Sequence, residues 1–168
     1  PKNDIRPTLD RVKESVFDVI QFKVGGADVL DLFAGSGAYG IEAVSRGCKS
    51  AVFNDINPSS VELIIKNCTK AGFKPVVTTL GYKDALTGYI NKGQSFDIIF
   101  LDPPFKSKYG NDAIEIITGN NLLNIGGVIV YEHEGDNNID LPSGYEIKSK
   151  KYGSVYIDFI INKGEQPL

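Results

Sequence analysis

The sequence predicts a single α/β domain built on an open sheet of about seven strands, mostly parallel with one strand reversed, and with helices on both faces. Three observations carry that expectation. Short runs that are apolar throughout alternate with amphipathic helical segments, the pattern of a parallel sheet covered on both sides. A glycine-rich turn, Gly35-Ser36-Gly37, links the first such run to the helix behind it. The last two runs, Tyr145–Lys151 and Val155–Ile161, are joined by only Tyr152-Gly153-Ser154, which leaves room for a hairpin and none for a crossover helix.

Thr8 to Phe22 reads as an opening helix. Leu9, Val12, Val16 and Ile20 recur on one face, Phe17 widens it, and Pro7-Thr8 marks the start. Val24-Gly25-Gly26 ends it. Strand Asp28–Leu32 then precedes helix Ala38–Ser45, strand Ser50–Asn54 precedes helix Ser59–Lys70, and strand Val76–Leu80 precedes helix Asp84–Asn91. A fourth strand, Asp97–Leu101, leads through a loop to helix Asn111–Thr118, and Gly127–Tyr131 is the fifth. In such a sheet a ligand lies at the carboxyl ends of the strands, where the strand order reverses.

At 168 residues, 42% hydrophobic and 23% charged, the chain fits one ordinary globular domain spanning residues 1–168. Its net charge of −3 argues against coating nucleic acid by bulk attraction, and leaves room for a local basic face. No apolar run approaches the roughly 20 residues that span a bilayer, and no signal peptide opens the sequence. Cys48 and Cys68 match no metal or redox spacing. A cytoplasmic protein with free thiols, no membrane contact and no metal is the expectation.

Asp31 ends the first strand, four residues ahead of Gly35 in a G-x-G-x-x-G pattern that Gly40 completes. The pattern alone fits several nucleoside ligands. A carboxylate beside a dinucleotide's pyrophosphate would set like charges against each other in a partly dry crevice. It suits a ligand carrying positive charge, such as the ammonium and sulfonium of S-adenosylmethionine. The alternative is a local role, Asp31 holding the turn's own backbone. Gly35 and Gly37 allow the tight turn and a close approach of backbone to ligand, and Gly40 lets the helix pack on its strand. Asp55 ends the second strand eighteen residues after Gly37, where an acid accepts from the hydroxyls of a ribose; capping the next helix is the competing use, open equally to Asn57 and Ser59. Asp84 after the third strand either accepts from an adenine amino group or caps its helix.

Asp102-Pro103-Pro104-Phe105 at the fourth strand's end is the most informative tetrapeptide. Two prolines make a stiff turn, so the Asp102 carboxylate and the Pro103 carbonyl become acceptors at a fixed separation. They suit the two hydrogens of an exocyclic amino group whose nitrogen faces a methyl donor, with Phe105 offering a ring on which a planar base stacks. A rigid connector with a core phenylalanine is the structural alternative. Arg6, Arg11, Lys106 and Lys108 flank the expected mouth, and Lys148, Lys150 and Lys151 mark the hairpin; such a rim grips phosphates, although each lysine singly reads as surface charge. His133, the one histidine, sits in Tyr131-Glu132-His133-Glu134, read as loop polarity rather than a metal site. Tyr39 and Tyr152 read as packing residues with a polar tip.

Asp31 to Gly40, Asp55 and Asp102 to Phe105 together resemble class I S-adenosylmethionine-dependent methyltransferases acting on exocyclic amines. Arg6-Pro7-Thr8-Leu9-Asp10-Arg11-Val12-Lys13-Glu14 resembles the R-P-T-x-D-R-V-[KR]-E segment of the RsmD family. Leu30 to Ala38, Ser45-Arg46-Gly47, the Asp-Pro-Pro-Phe loop and Lys151-Tyr152-Gly153 are similar to the same family, so the likeness runs from Arg6 to about Phe159. It implies a Rossmann-like class I methyltransferase fold and N2-methylation of a guanine in 16S ribosomal RNA, within an assembling small subunit. It also implies that Asp31, Phe33, Gly35, Gly37, Asp55, Ile56, Asp84 and Ala85 hold S-adenosylmethionine and that Asp102, Pro103, Pro104 and Phe105 hold the target base. The family's short basic, glycine-rich strand ahead of R-P-T is the one part not matched. Among alternatives, a DNA adenine or cytosine amino-methyltransferase would need a recognition insertion for which no segment is spare. A nicotinamide-dependent oxidoreductase is opposed by Asp31 and by the Pro-Pro loop.

Overall fold

In a parallel sheet covered on both sides, successive side chains of each central strand feed opposite apolar layers. The computed structural model describes residues 5–104, 106–135 and 138–165, with side chains from Leu9 onward. Its elements run α1 (Ile5–Val24), β1 (Asp28–Asp31), α2 (Ala38–Ser45), β2 (Ser50–Asn54), α3 (Pro58–Lys70), β3 (Val76–Thr78), α4 (Tyr82–Asn91), β4 (Phe96–Leu101), α5 (Tyr109–Gly119), β5 (Leu123–Glu134), β6 (Tyr145–Tyr152) and β7 (Val155–Asn162). The sheet order is β3-β2-β1-β4-β5-β7-β6. Pairing is parallel from β3 through β5, and β7 runs antiparallel to both of its neighbours, so it is the single reversed strand.

Leu30, Ile99, Leu101, Ile129 and Tyr131 pack with α4 and α5 residues such as Leu86, Ile114 and Ile117 on one face. Val29, Ile98, Phe100, Val128 and Val130 pack under α1, through Val12, Val16, Phe17 and Ile20, on the other. Phe53 at the end of β2 joins Ile64 and Cys68 of α3 in a third cluster. No helix among the described residues is long and apolar enough to cross a membrane.

Several boundaries differ from the sequence reading, those of α1, β3 and β5 with a clear cause. α1 begins at Ile5 rather than Thr8, placing Pro7 in the first turn, where the absent N–H sacrifices no helical bond. Leu9 does not join the core: it is 52% exposed and faces the crevice described below. β3 stops at Thr78 because Leu80 turns toward the side chain of Asn54. β5 is longer than Gly127–Tyr131 at both ends. It starts at Leu123 through a register shift between Phe96 and Ile98, and its polar end, Glu132 to Glu134, is held by Ile157, Tyr156 and Val155 of β7. A polar strand end looks like loop when the partner strand is not known.

Gly40 packs α2 against the β2 residue Phe53. A Cβ at this glycine would fall within 2.7 Å of the Phe53 Cζ and closer still to Cε1, and Phe53 is fully buried. Gly40→Ala should therefore lower stability by about 1–3 kcal/mol despite alanine's better helix propensity, read as a lower urea midpoint at unchanged slope.

Candidate active site

The turn after β1 is built by two glycines in the left-handed region, Gly35 at φ 57° and Gly37 at φ 83°. A Cβ at Gly35 would meet no protein atom within 4 Å, so that backbone faces open space. At Gly37 it would touch Ile41, Phe53 and Ile64, so this glycine serves the turn and the packing beneath it. Asp31 is only 2% exposed, and its Oδ2 accepts the Gly40 N–H at 3.1 Å, in the first turn of α2. The local role weighed for Asp31 is thus real, and it occupies one carboxylate oxygen. Asp55 accepts from the Gly35 N–H and the Asn57 N–H, both at 2.9 Å. Asn57 caps α3 by accepting the Ser59 N–H, so Asp55 is not the cap. Nor is Asp84: Gly81 stands at the N-cap of α4, and Asp84 lies one turn in, exposed.

Asn54 ties these loops together. Buried at the end of β2, it donates from Nδ2 to the Leu32 and Leu80 carbonyls at 3.3 and 2.9 Å, and its Oδ1 accepts from the Thr78 hydroxyl at 2.7 Å and the Leu80 N–H at 3.3 Å. The ends of β1, β2 and β3 are therefore held by one amide.

Above them opens a cavity of about 880 Å³ at the carboxyl edge of the sheet, where β1 turns one way to β2 and the other to β4. Phe33, Gly35, Asp55, Ile56 and Asp84 line it, with Asp31 at its floor and Asp102, Pro103 and Pro104 on its wall. Ile56 is 73% exposed over the opening, an apolar side chain offered to a ligand rather than to the core. Ala85 is different: it is 1% exposed in the core, its N–H bonds the Gly81 carbonyl, and it is not part of the lining. From α1, the lining takes Leu9, Asp10 and Lys13, while Arg11 is exposed outside both cavities described here. The Arg6 side chain and Phe105 lie outside the described residues. Phe33, Tyr82 and Tyr109 form an aromatic row along one wall, with ring centroids 5.6 and 5.0 Å apart.

The cavity's charge is lopsided: Asp10, Asp31, Asp55, Asp84, Asp102 and Glu132 face Lys13 and Lys83, and Lys13 is itself paired with Glu42 at 3.6 Å. Burial pushes the Asp31 carboxyl up to about 7; the Gly40 hydrogen bond opposes the rise and the Asp55 charge adds to it. Leu101 of β4 pairs with Tyr131 of β5, so the next residue on each, Asp102 and Glu132, emerge side by side. Their carboxyls hydrogen-bond one another, and both are raised, first by desolvation in the crevice. Asp102 is open to the cavity even so. The Tyr39 hydroxyl lies near Glu132 and opposes the rise of its carboxyl, while its ring stacks on Phe100 with centroids 5.0 Å apart. Glu132 is the site residue that sequence reasoning passed over. Its signal was present, since like Asp31 and Asp102 it follows an apolar run at a strand's carboxyl end.

A second cavity of about 280 Å³ lies on the far side of Asp102, Pro103, Pro104 and Glu132, which line both spaces. Lys106, Ser107, Lys108 and Asn111 line it from one side of the sequence, and Tyr131, His133, Glu134 and Val155 complete it. The Ser107 hydroxyl is buried with no hydrogen-bond partner among the described residues. Lys106 adopts φ 55°, a left-handed backbone for a non-glycine residue. His133 is not loop polarity: Nε2 lies 2.7 Å from Asp158 of β7, Nδ1 lies 3.1 Å from the Gly135 carbonyl, and the ring stacks on Tyr156.

This arrangement, a seven-stranded sheet with one reversed strand and a ligand crevice at its switch point, is the class I methyltransferase fold. The solved structure of magnesium protoporphyrin IX methyltransferase from Synechocystis PCC 6803, with bound SAM, shares it at a TM-score of 0.69 and 16% identity, over 95% of this chain and 82% of that one. The family described as Conserved hypothetical protein 95, the RsmD family, matches residues 1–161, and the chain belongs to it. Escherichia coli ribosomal RNA small subunit methyltransferase D is 33% identical over 150 residues, 88% of this chain and 74% of that protein. The solved structure of the Escherichia coli protein yhhF superposes with a TM-score of 0.82 at 28% identity, covering 93% of this chain and 86% of that one.

The raised Asp31 carboxyl sets a pH dependence. Above about pH 4 the unfolded chain carries this group ionised, whereas the folded protein keeps its proton until about pH 7. The folded state binds the extra proton in that window, so stability falls as pH rises through it. Asp31→Asn, which retains an acceptor for Gly40, should raise the ligand-free protein's denaturation midpoint at pH 8 and change it little at pH 4.

Proposed function

We propose that this chain transfers a methyl group from S-adenosylmethionine to the exocyclic N2 amino group of a guanine in small-subunit ribosomal RNA, within an assembling subunit in the bacterial cytoplasm. The observation that carries the reading is the Asp102-Pro103-Pro104 wall shared by two cavities, one large and acidic, the other small and rimmed by Lys106 and Lys108. A wall of this kind lets a donor and an acceptor meet across one pair of fixed oxygens. Membership of the RsmD family supports the same assignment.

The residues fit S-adenosylmethionine. Asp31 is buried at the cavity floor with one oxygen spent on Gly40 and the other available to a cationic amino acid moiety. Asp55 accepts ribose hydroxyls with lone pairs left over from its two backbone bonds. Ile56, Leu80 and Asp84 line the cavity, the first two suited to apolar contact with an adenine and Asp84 to accepting from its amino group. The bound cofactor supplies a methyl group on a positively charged sulfur and leaves as the neutral thioether.

Asp102 and the Pro103 carbonyl hold the amine hydrogens so that the nitrogen lone pair points across the wall. That lone pair forms the new N–C bond while the electrons of the breaking S–C bond return to sulfur. The nitrogen, now cationic, gives its extra proton to the Asp102 carboxylate or to water. The acidic wall stabilises that positive charge as it develops. Lys106, Lys108, Arg11 and Arg6 are the proposed phosphate grips that keep a base turned out of its stack.

The test is methyl transfer from labelled cofactor to small-subunit RNA, free and protein-bound, followed by nucleoside analysis. N2-methylguanine is expected, and label in N6-methyladenine would overturn the substrate. Asp102→Ala should reduce turnover by a factor of about 100 or more while leaving S-adenosylhomocysteine affinity within a few-fold. Asp55→Ala should do the reverse first, weakening cofactor binding by about tenfold or more in calorimetry.

A further inference from the structure

Glu132 has no part in the chemistry derived so far, yet it stands at the junction of both cavities. It emerges beside Asp102 from the adjacent strand, hydrogen-bonds that carboxyl and lies near the Tyr39 hydroxyl. Two carboxyls in contact hold a proton between them, because both cannot ionise cheaply at that separation. A substrate that enters must replace that proton with donors of its own.

The amino groups of the common bases differ in the ring nitrogen next to them. In guanine that nitrogen, N1, carries a hydrogen and donates. In adenine and cytosine the corresponding N1 or N3 has a lone pair and accepts. A pair of acceptors side by side is therefore complementary to guanine alone among bases with an exocyclic amine. We propose that Glu132 is the residue that selects guanine, its carboxylate accepting the N1–H while Asp102 and the Pro103 carbonyl hold the adjacent N2 amino group. The inference rests on the methyltransferase reading above and assigns to that site its means of choosing the base.

Selection by Glu132 makes recognition release the shared proton. Burial pushes the Glu132 carboxyl up to about 8, with the Asp102 hydrogen bond and charge adding to the rise and the Tyr39 hydroxyl opposing it. The groups that set its ionisation are spread over the elements around it. Asp102 and Tyr39 touch it directly, and Asp31 and Tyr152 act through these two. His133 and Glu134 flank it on β5, with Asp158 of β7 behind His133, and Lys106 and Lys108 face it across the smaller cavity.

The experiment compares small-subunit RNA carrying guanine with the same RNA carrying 2-aminopurine at the position that the wild-type protein methylates. 2-Aminopurine keeps the amine and presents an acceptor at N1. The wild type should prefer guanine by about tenfold or more in kcat/KM. Glu132→Gln, whose amide donates as well as accepts, should bring that preference to within about threefold of unity, with S-adenosylhomocysteine affinity unchanged. An equal preference in both proteins would overturn the proposal, since loss of the guanine O6 contact alone affects the variant and the wild type alike. A second readout needs no variant: the wild-type preference for guanine should grow as pH rises from 6 to 9, and a flat profile would count against Glu132. A wild-type protein that forms no N2-methylguanine on any small-subunit RNA would instead overturn the methyltransferase reading, and the inference with it.

Discussion

Carboxylates crowd together at the ends of three neighbouring strands, and much of the site follows from how the fold tolerates them. Asp31 ends β1, Asp102 follows β4 and Glu132 lies among the last three residues of β5, and these three strands are adjacent in the sheet. Parallel strands lie about 4.8 Å apart, so acids at matched positions are forced into each other's field. The backbone offsets part of that cost, through the Gly40 N–H on Asp31. A shared hydrogen bond and Tyr39 offset another part at Glu132. What remains uncompensated is an appetite for positive charge and for hydrogen-bond donors, and a sulfonium-bearing nucleoside beside an amine provides both.

The turns around this cluster act as its supports. Gly35 brings backbone to the cavity edge while its N–H is spent on Asp55, so the loop after β1 and the acid at the end of β2 hold each other in place. The aromatic row of Phe33, Tyr82 and Tyr109 continues from that loop along the wall. Tyr82 is fixed at its far end by a hydroxyl bond to Asp112 of α5, 3.0 Å long. Side chains on rigid elements therefore bound the cavity on several sides.

Most of this was legible before any coordinates. Alternating apolar runs and helical segments specify a parallel sheet, and the three-residue link at Gly153 specifies the reversed strand, because both depend on local pattern and chain length. Asp31, Asp55 and Asp102 stood out for the same reason, as acids where apolar runs stop. Pairwise relations between distant segments were hidden. Glu132 acquires its meaning from the register of β4 against β5, and His133 from Asp158, twenty-five positions along the chain. The role of Asn54 is invisible in sequence because its partners, Leu32, Thr78 and Leu80, come from the ends of two other strands and the loops that follow them. Ala85, which the family resemblance places at the cofactor, lies outside the cavity lining, because helical geometry turns adjacent residues about 100° apart and sends this side chain inward.

The amide of Asn54 has a consequence for anyone wishing to reshape the nucleoside pocket. By bonding the ends of β1 and β3 at once, it makes three segments behave as one jaw with a common hinge pin. A bulkier synthetic donor cannot be admitted by trimming a single loop, since displacing the Leu80 segment pulls on the glycine turn through the same side chain. Widening this pocket calls for coordinated changes on both sides of Asn54, or for work at its open rim, where Ile56 stands exposed.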